Sequence, residues 1–476
     1  MNEVTNKLWE FAAFSNRTAL LSEECTVTYG ELGEEAERIA ACVSPRSLVF
    51  LLARNSLAAI AGYVGFLQHG IVPVMIDAAL DEGLLALLLA AYRPAYAWIP
   101  AERMASFQSG HEILRQEDYV LLDLLEENSF PLHAELALLM TTSGSTGSPK
   151  LVRQSYDNLR ANTESIVNYL DIHEDERGVT NLPLHYVYGL SILNTHLAAG
   201  ASVVVTEKTL FDRSFWQLMR DKEVTSFSGV PYTYAMLKRL RFFRMALPAL
   251  RTLTQAGGKL DPELHAEFAA YADAHGKKFV VMYGAAEATA RMGYLPPQDT
   301  LEKVGAMGIA IPGGRFELVD EAGKEITDTD TVGELVYYGA NVTLGYAESG
   351  ADLARGDERG GRYETGDLAR RDADGYYTVV GRKRRFLKMF GKRTNLQEVE
   401  HILRQHFGEI EVACAGIDDI LYIFVTQEQF VPEIVPFLSA KLGLHHSAFT
   451  ARCIAEIPKN ASGKTVYREL EQYYDV

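Results

Sequence analysis

Short apolar runs and longer segments of helical period take turns along most of this chain. "SLVFLLA" (47–53) and "IVPVMID" (71–77) are separated by a helical stretch from Ala58 to Leu67. "ELALLM" (135–140) leads through a Ser/Thr/Gly-rich loop toward a helix beginning near Ser155, "ASVVVTE" (201–207) follows another helical run, and "KFVVMYG" (278–284) ends on glycine. Strands alternating with helices in this way predict βα units and parallel sheets. From about Asp320 the pattern shifts to turn residues and alternating stretches, "GELVYYG" (333–339) and "GYYTVVG" (375–381), which predict antiparallel strands.

The last ninety or so residues form a unit of their own. Asn395 is placed as a helix N-cap with Glu398 three residues on. Leu396, Val399, Ile402, Leu403 and Phe407 then recur at helical spacing. Two strands ("EVACAGI", "LYIFVTQ"), a helix around Ile434 to Leu442 and the strand "ARCIAEIP" complete a small α+β module. The basic run Arg382-Lys383-Arg384-Arg385 stands at its entrance and marks a hinge. The expected fold class is α/β. A large N-terminal domain (1–382) of parallel and mixed sheets with helices and a small β-barrel-like part is followed by a hinge (383–384). A small mobile α+β C-terminal domain (385–476) closes the chain. At 476 residues the chain is too long for one ordinary core.

Composition narrows the function. A formal charge of −17 argues against a nucleic-acid or anionic-membrane surface, both of which need concentrated Lys and Arg. Cys25, Cys42, Cys414 and Cys453 are scattered without a CxxC pair, as in a reduced cytoplasmic protein without zinc or disulfides. The most apolar stretch, Leu57 to Ile76, is interrupted by Gln68, His69, Gly70 and Pro73, which suits a core helix and a buried strand better than a membrane span. The start, "MNEVTNKLWEFAAF", lacks the basic leader and apolar core of a secretory signal.

Two segments carry candidate phosphate chemistry. "TTSGSTGSPK" (Thr141 to Lys150) follows a strand and is expected to precede a helix; its small residues expose N–H groups, and its hydroxyls and lysine add donors suited to a polyphosphate. A plain surface loop has the same composition. Gly463-Lys464-Thr465 near the C-terminus matches the tail of a Walker A loop, but the position that needs the first glycine is Pro458, whose ring fixes φ and removes an N–H. A solvated turn lysine fits the isolated triplet equally well.

Five segments together resemble the adenylate-forming superfamily (acyl-CoA synthetases, peptide-synthetase adenylation domains and luciferase). They are "TTSGSTGSPK" (141–150), "YGAAE" (283–287), "YETGDL" (363–368), "GRKRRFLKMFGKRTNLQEVE" (381–400) and "PKNASGKTVYR" (458–468), in the family's order, with weaker matches at "TYGEL" (28–32), "LPLHYVYGL" (182–190) and "GELVYYGANVTLGY" (333–346). The resemblance implies two half-reactions. A carboxylate attacks the α-phosphorus of ATP, giving an acyl-adenylate and pyrophosphate. A thiol, from coenzyme A or the phosphopantetheine of an acyl carrier protein, then expels AMP. It further implies that Thr141, Thr142, Ser143, Gly144, Ser145, Thr146 and Gly147 hold phosphates with Lys150 beside them. Glu287 would bind Mg²⁺, Asp367 the ribose with Arg382 assisting, and Gly258, Tyr283 and Gly284 would flank adenine. Lys464 would reach the attacking carboxylate and the α-phosphate, and the small domain would turn about Arg384 to present Gly391, Lys392 and Arg393 to the thiol.

Departures from the family pattern bear on the site. The usual threonine of "YGxTE" is Ala286, which removes a hydroxyl from the α-phosphate; Thr289 and Thr142 are the candidates to replace it. The aspartate that holds an α-ammonium group in amino-acid-activating relatives aligns with Val187, so the expected substrate is a small-molecule carboxylic acid, fatty or aryl, without an α-amino group. Tyr186, Val187, Tyr188, Val230 and Ala285 are pocket candidates by family position. A catalytically weakened binding or regulatory homologue is the competing reading, supported by Ala286 alone.

Overall fold

Leu48–Ala53 and Val72–Asp77 are buried on both faces, as strands of a parallel sheet covered by helices must be. They pair in parallel, flanked in parallel by Tyr96–Pro100 and Leu136–Thr141. Antiparallel strands extend this sheet to eight. Its helix Leu57–Gln68 is apolar all round because it packs against the sheet and the helix Tyr29–Ala40; a Cβ on Gly65 would stand 2.3 Å from the Ala36 carbonyl. The computed structural model describes residues 8–107, 110–125, 130–141, 150–389, 392–417, 419–442, 444–460, 463 and 465–474.

The described residues fall into two compact units. The first runs to Phe316 and includes Tyr337–Tyr363; the second holds Glu317–Val336 and the residues from Glu364 on. Besides the eight-stranded sheet, the first unit contains a four-stranded sheet and a five-stranded one. In the latter, Ser226–Gly229, Thr252–Gln255 and Lys278–Tyr283 run parallel in that order, with Gly293–Tyr294 and Ile309–Ala310 antiparallel beyond them.

In the second unit the turn-rich region forms the antiparallel pair Arg362–Arg371 and Tyr377–Arg382, part of a four-stranded sheet. The small α+β module follows. Val412–Ile417, Ile420–Val425 and Phe449–Cys453 make its sheet, and the helices Leu396–Phe407 and Val431–Leu442 cover one face around Val399, Leu403, Ile434 and Leu438. All four cysteines are free, and no described helix is long and apolar enough to cross a membrane.

One expectation fails locally. The glycine-rich loop does not lead into a helix. Leu151–Ser155 is a strand, antiparallel to Leu136–Thr141 with Leu151 opposite Thr141, and the helix Tyr156–Leu170 starts only after it. No helix begins directly after Lys150, so the helix N-terminus that a strand-loop-helix anion cradle uses is not there. The reason is visible in "LVRQS": every residue is buried, including Arg153 at 0% exposure.

The fold also buries His196 on the helix Val187–Ala198, with Nδ1 2.8 Å from the Ile192 carbonyl and Nε2 3.3 Å from Ser226 Oγ. Burial lowers its pKa to about 4. As pH falls from about 6.5 to about 4, the unfolded imidazole takes up a proton that the folded one refuses. Stability should thus decline by roughly 3 kcal/mol across that window and level off below it. His196→Asn should remove this part of the slope, read as the difference between wild-type and variant urea melts at pH 7 and pH 4.5.

Candidate active site

Three parallel strands of the five-stranded sheet end on the same edge, and that edge carries several of the candidate residues. Val230 follows Ser226–Gly229, Gly257 and Gly258 follow Thr252–Gln255, and Tyr283 to Glu287 follow Lys278–Tyr283. The carboxyl end of such strands is where open α/β sheets bind ligands. Gly257 has φ +87°, and a Cβ there would meet Tyr186 Oη at 2.7 Å and Val230 Cγ1 at 3.1 Å, so glycine is needed for this close approach. Gln255 Nε2 donates to the Gly258 carbonyl at 2.9 Å and fixes the turn.

Glu287 leaves the edge in a single 3-10 turn, Ala286–Ala288, closed by a strained residue. Thr289 has φ 64° and ψ −64°, and the Ala290 N–H donates to the Ala288 carbonyl at 2.8 Å. That is a positive-φ γ-turn, rare for any residue and costly for a β-branched one. Buried Asn341 pins it. Its Nδ2 donates to the carbonyls of Ala288 (2.9 Å) and Arg291 (2.8 Å), its carbonyl accepts from Thr289 Oγ1 (2.7 Å), and its Oδ1 accepts from Tyr337 Oη (2.8 Å). The Glu287 carbonyl accepts from the Thr343 N–H (3.0 Å), the Thr343 hydroxyl (2.9 Å) and Arg359 (2.9 Å).

The carboxylate so aimed meets Tyr346. Tyr346 Oη donates to Glu287 Oε1 at 2.5 Å, and burial, with the carboxylate beside it, pushes the phenol's pKa up, so it stays a donor. Lys150 Nζ lies 3.6 Å from the centroid of the same ring and the Arg359 guanidinium 4.6 Å, both cation–π contacts. Arg153 holds Tyr346 in place by donating to its carbonyl at 3.0 Å and pairing with Glu358. Two candidates far apart in sequence, Lys150 and Glu287, are thus joined through one tyrosine. The other Glu287 oxygen makes no hydrogen bond to the described residues, and a half-exposed carboxylate with a free oxygen fits a hard divalent cation.

Tyr186 and Tyr188 meet edge to face at 6.2 Å in a small apolar cluster with Val230 and Met282, distinct from the main core. Val187 does not join them. It packs against the main core and, with Met140, Gln154 and Thr289, lines a separate cavity of about 10 Å³. It sits in the first helical turn of Val187–Ala198, and the helical advance turns it away from its neighbours. Thr289 does not supply the hydroxyl missing at Ala286, because its proton is committed to the Asn341 carbonyl. Ala285 precedes the 3-10 turn, and a Cβ on Gly284 would stand 1.9 Å from the Ala290 carbonyl, so glycine is obligatory there. The Tyr283 ring is tilted against that of Phe316, with centroids 6.2 Å apart.

In the second unit Asp367 and Arg382 face each other across paired strands, with Arg382 Nε donating to Asp367 Oδ1 at 3.0 Å. Lys383 pairs with Glu334 at 2.6 Å, while Arg385 is buried in the small module, bonded to Glu400 and to the Cys414 carbonyl (2.8 Å each) with its guanidinium 3.5 Å over the Tyr467 ring. Arg384 is the residue between two anchored neighbours. Near the C-terminus, Lys459 and Thr465 form an antiparallel bridge and Gly463 adopts φ +74°. Thr142, Ser143, Gly144, Ser145, Thr146, Gly147, Gly391 and Lys464 lie outside the described residues, as do the side chains of Arg384, Lys392 and Arg393.

A protein-family model described as AMP-binding enzyme matches residues 8–347. The chain belongs to the AMP-binding enzyme family. Indoleacetate–CoA ligase of Aromatoleum aromaticum is 26% identical, covering 96% of this chain and 95% of that protein. Sulfoacetate–CoA ligase of Cupriavidus necator is 30% identical over 69% of this chain and 65% of its own length. The structure of o-succinylbenzoate CoA synthetase from Bacillus subtilis in complex with its acyl-adenylate intermediate superposes with a TM-score of 0.78 at 23% identity, covering 99% of each chain. That likeness speaks for the fold.

Asn341, Thr343 and Tyr346 were not singled out from the sequence, though all three fall in the weak match "GELVYYGANVTLGY". Arg359 carries no such signal. Asn341→Ala should lower the unfolding free energy by roughly 3 kcal/mol, since it strips partners from several buried polar groups. Denaturant melts followed by tyrosine fluorescence measure it.

Proposed function

We propose that this chain activates a carboxylic acid with ATP as an acyl-adenylate, releasing pyrophosphate, and then passes the acyl group to the thiol of coenzyme A. The observation that carries this reading is the meeting of Lys150 and Glu287 on Tyr346, at the edge of three parallel strands. It sets a cation for phosphate and a carboxylate for Mg²⁺ side by side. Membership of the family and relatives named as CoA ligases support the reaction class and the acceptor.

In this reading Thr141 to Gly147 and Lys150 hold the phosphates, Tyr283, Gly284 and Gly258 flank adenine, and Asp367 with Arg382 takes the ribose hydroxyls. Mg²⁺ on Glu287 would offset phosphate charge as pyrophosphate leaves. The module 385–476 swings about Arg384. Lys383 and Arg385, each tied to its own side of that residue, would confine the φ/ψ change to it. One swing brings Lys464 to the reacting carboxylate and α-phosphate; the other presents Gly391, Lys392 and Arg393 to the thiol. The acids named for the relatives differ from one another, so they leave the acid open.

A weakened homologue remains the second reading, favoured by Ala286 together with the commitment of the Thr289 hydroxyl. Acid-dependent ATP–pyrophosphate exchange over fatty, aryl, hydroxy, dicarboxylic and amino acids separates the two: exchange with none would sink the enzyme reading. Adding coenzyme A or a phosphopantetheinylated carrier protein then names the acceptor.

Two variants test the assignments. Lys464→Ala should slow exchange roughly 10²–10³-fold, the scale of one preorganised electrostatic contact, and leave thioester formation from supplied acyl-adenylate nearly intact. Ala286→Thr should restore a charge-assisted hydrogen bond and raise the exchange rate about tenfold or more; an unchanged rate would show that the hydroxyl is supplied elsewhere.

A further inference from the structure

One buried cation beside the tyrosine cluster has no counter-charge among the described residues. Arg291 is 3% exposed. Its guanidinium lies 3.9 Å over the Tyr188 ring and its Nε donates toward Met282 Sδ at 3.4 Å, a sulfur that also accepts from the Tyr169 hydroxyl at 3.0 Å. Each of these partners is neutral, since burial raises the pKa of both phenols. Among the described residues Arg291 forms no ion pair. A buried charge without a partner is expensive, and a guanidinium cannot escape the cost by shedding its proton.

The same side chain lines a cavity of about 30 Å³, more than one water needs. Hydroxyls of Ser191, Ser228 and Thr254 line it too, and Thr254 Oγ1 is bonded to Tyr188 Oη at 2.8 Å. Its one carboxylate, Glu176, is already taken: it accepts from the Thr225 hydroxyl and pairs with Arg251 at 3.2 Å. His196, also in the wall, is neutral at physiological pH. The space thus offers an unpaired cation beside hydroxyl groups, and the one carboxylate in its wall is already engaged.

We propose that Arg291 receives a second anionic group, carboxylate or sulfonate, of the acid whose other carboxylate is adenylated, so that the substrate is a short dianionic acid. The inference rests on the adenylation reading. A planar fork of donors suits a carboxylate or a sulfonate, and an acid with a methyl in that place leaves the guanidinium unpaired.

The test compares matched acids by ATP–pyrophosphate exchange: succinate with butyrate, glutarate with valerate, and 3-sulfopropionate for the sulfonate. Each is measured in wild type, Arg291→Met and Arg291→Lys. Wild type should favour the dianionic member by about tenfold to a hundredfold in kcat/KM, the scale of one charged hydrogen-bonded contact. Arg291→Met should lose that preference while keeping exchange with the monoanionic acids, and Arg291→Lys should retain part of it. Arg291→Met should also melt no lower than wild type without ligand, because a purely structural arginine would leave the opposite mark. Equal or reversed preference in wild type, or an unchanged preference in Arg291→Met, overturns the proposal. Thermal shift with the acids alone separates it from the underlying reading. If no acid supports exchange but diacids raise the wild-type Tm and not that of Arg291→Met, adenylation fails and the subsite stands. If neither exchange nor Tm responds to the second anion, the subsite fails.

Discussion

A β-branched residue held at positive φ determines where the key carboxylate points. Thr289 in its γ-turn belongs to a conformation that costs of the order of 1–3 kcal/mol and survives only where its surroundings over-determine it. Here they do. Asn341 bonds to the turn on both sides, Thr343 and Arg359 fasten the Glu287 carbonyl, and Asn158, in the first turn of its helix, ties down the Ala340 and Val342 carbonyls on either side of Asn341. Without this clamp the segment after Tyr283 would relax and the Glu287 carboxylate would leave Tyr346. Rigid support one layer out is what keeps a reactive group within tenths of an ångström of its working position.

Buried cations play separate parts in the same unit. Arg153 is wholly buried, and its donors are spent on the Tyr346, Leu344 and Gly356 carbonyls and on Glu358, so it works as a bracket for the strand Gly345–Ala347 that carries Tyr346. Arg359 divides itself between the Glu287 carbonyl and the Tyr346 ring, which joins the bracket to the carboxylate. Among the described residues Arg291 has only neutral partners, and that contrast is why it invites a ligand while the other two do not.

Much of this was legible in the chain itself. Apolar runs located the central strands because a strand buried on both faces leaves a continuous signature, and helical spacing located Leu396–Phe407 in the small module. The strand Leu151–Ser155 was missed because Arg153 and Gln154 read as surface residues, whereas the burial of Arg153 depends on carbonyls nearly two hundred positions away. Within the site, Lys150, Glu287, Asp367 and Arg382 were named from motifs, and the structure sets them as two pairs, Asp367 with Arg382 directly and Lys150 with Glu287 through Tyr346. That bridging tyrosine sits in the three-residue strand Gly345–Ala347, too short to show a period, and Arg359 follows it in an irregular segment. Val187 was assigned to the pocket by position, and helical geometry turned it toward the core.

The charge balance frames the chemistry. A protein of formal charge −17 has to attract a polyanion and an organic acid, so long-range steering works against it. Attraction must come from cations that are close, few and poorly screened. Lys150 and Arg359 on the Tyr346 ring meet that need at one end, and Arg291 beneath Tyr188 meets it at the other. Interactions beyond about 8 Å are largely screened at physiological salt. A ligand inside the site therefore feels these side chains far more than the acidic exterior. The exterior slows encounter with every anion alike, and selection among acids falls to the local contacts, above all to whether a second negative group is present to meet the unpaired guanidinium.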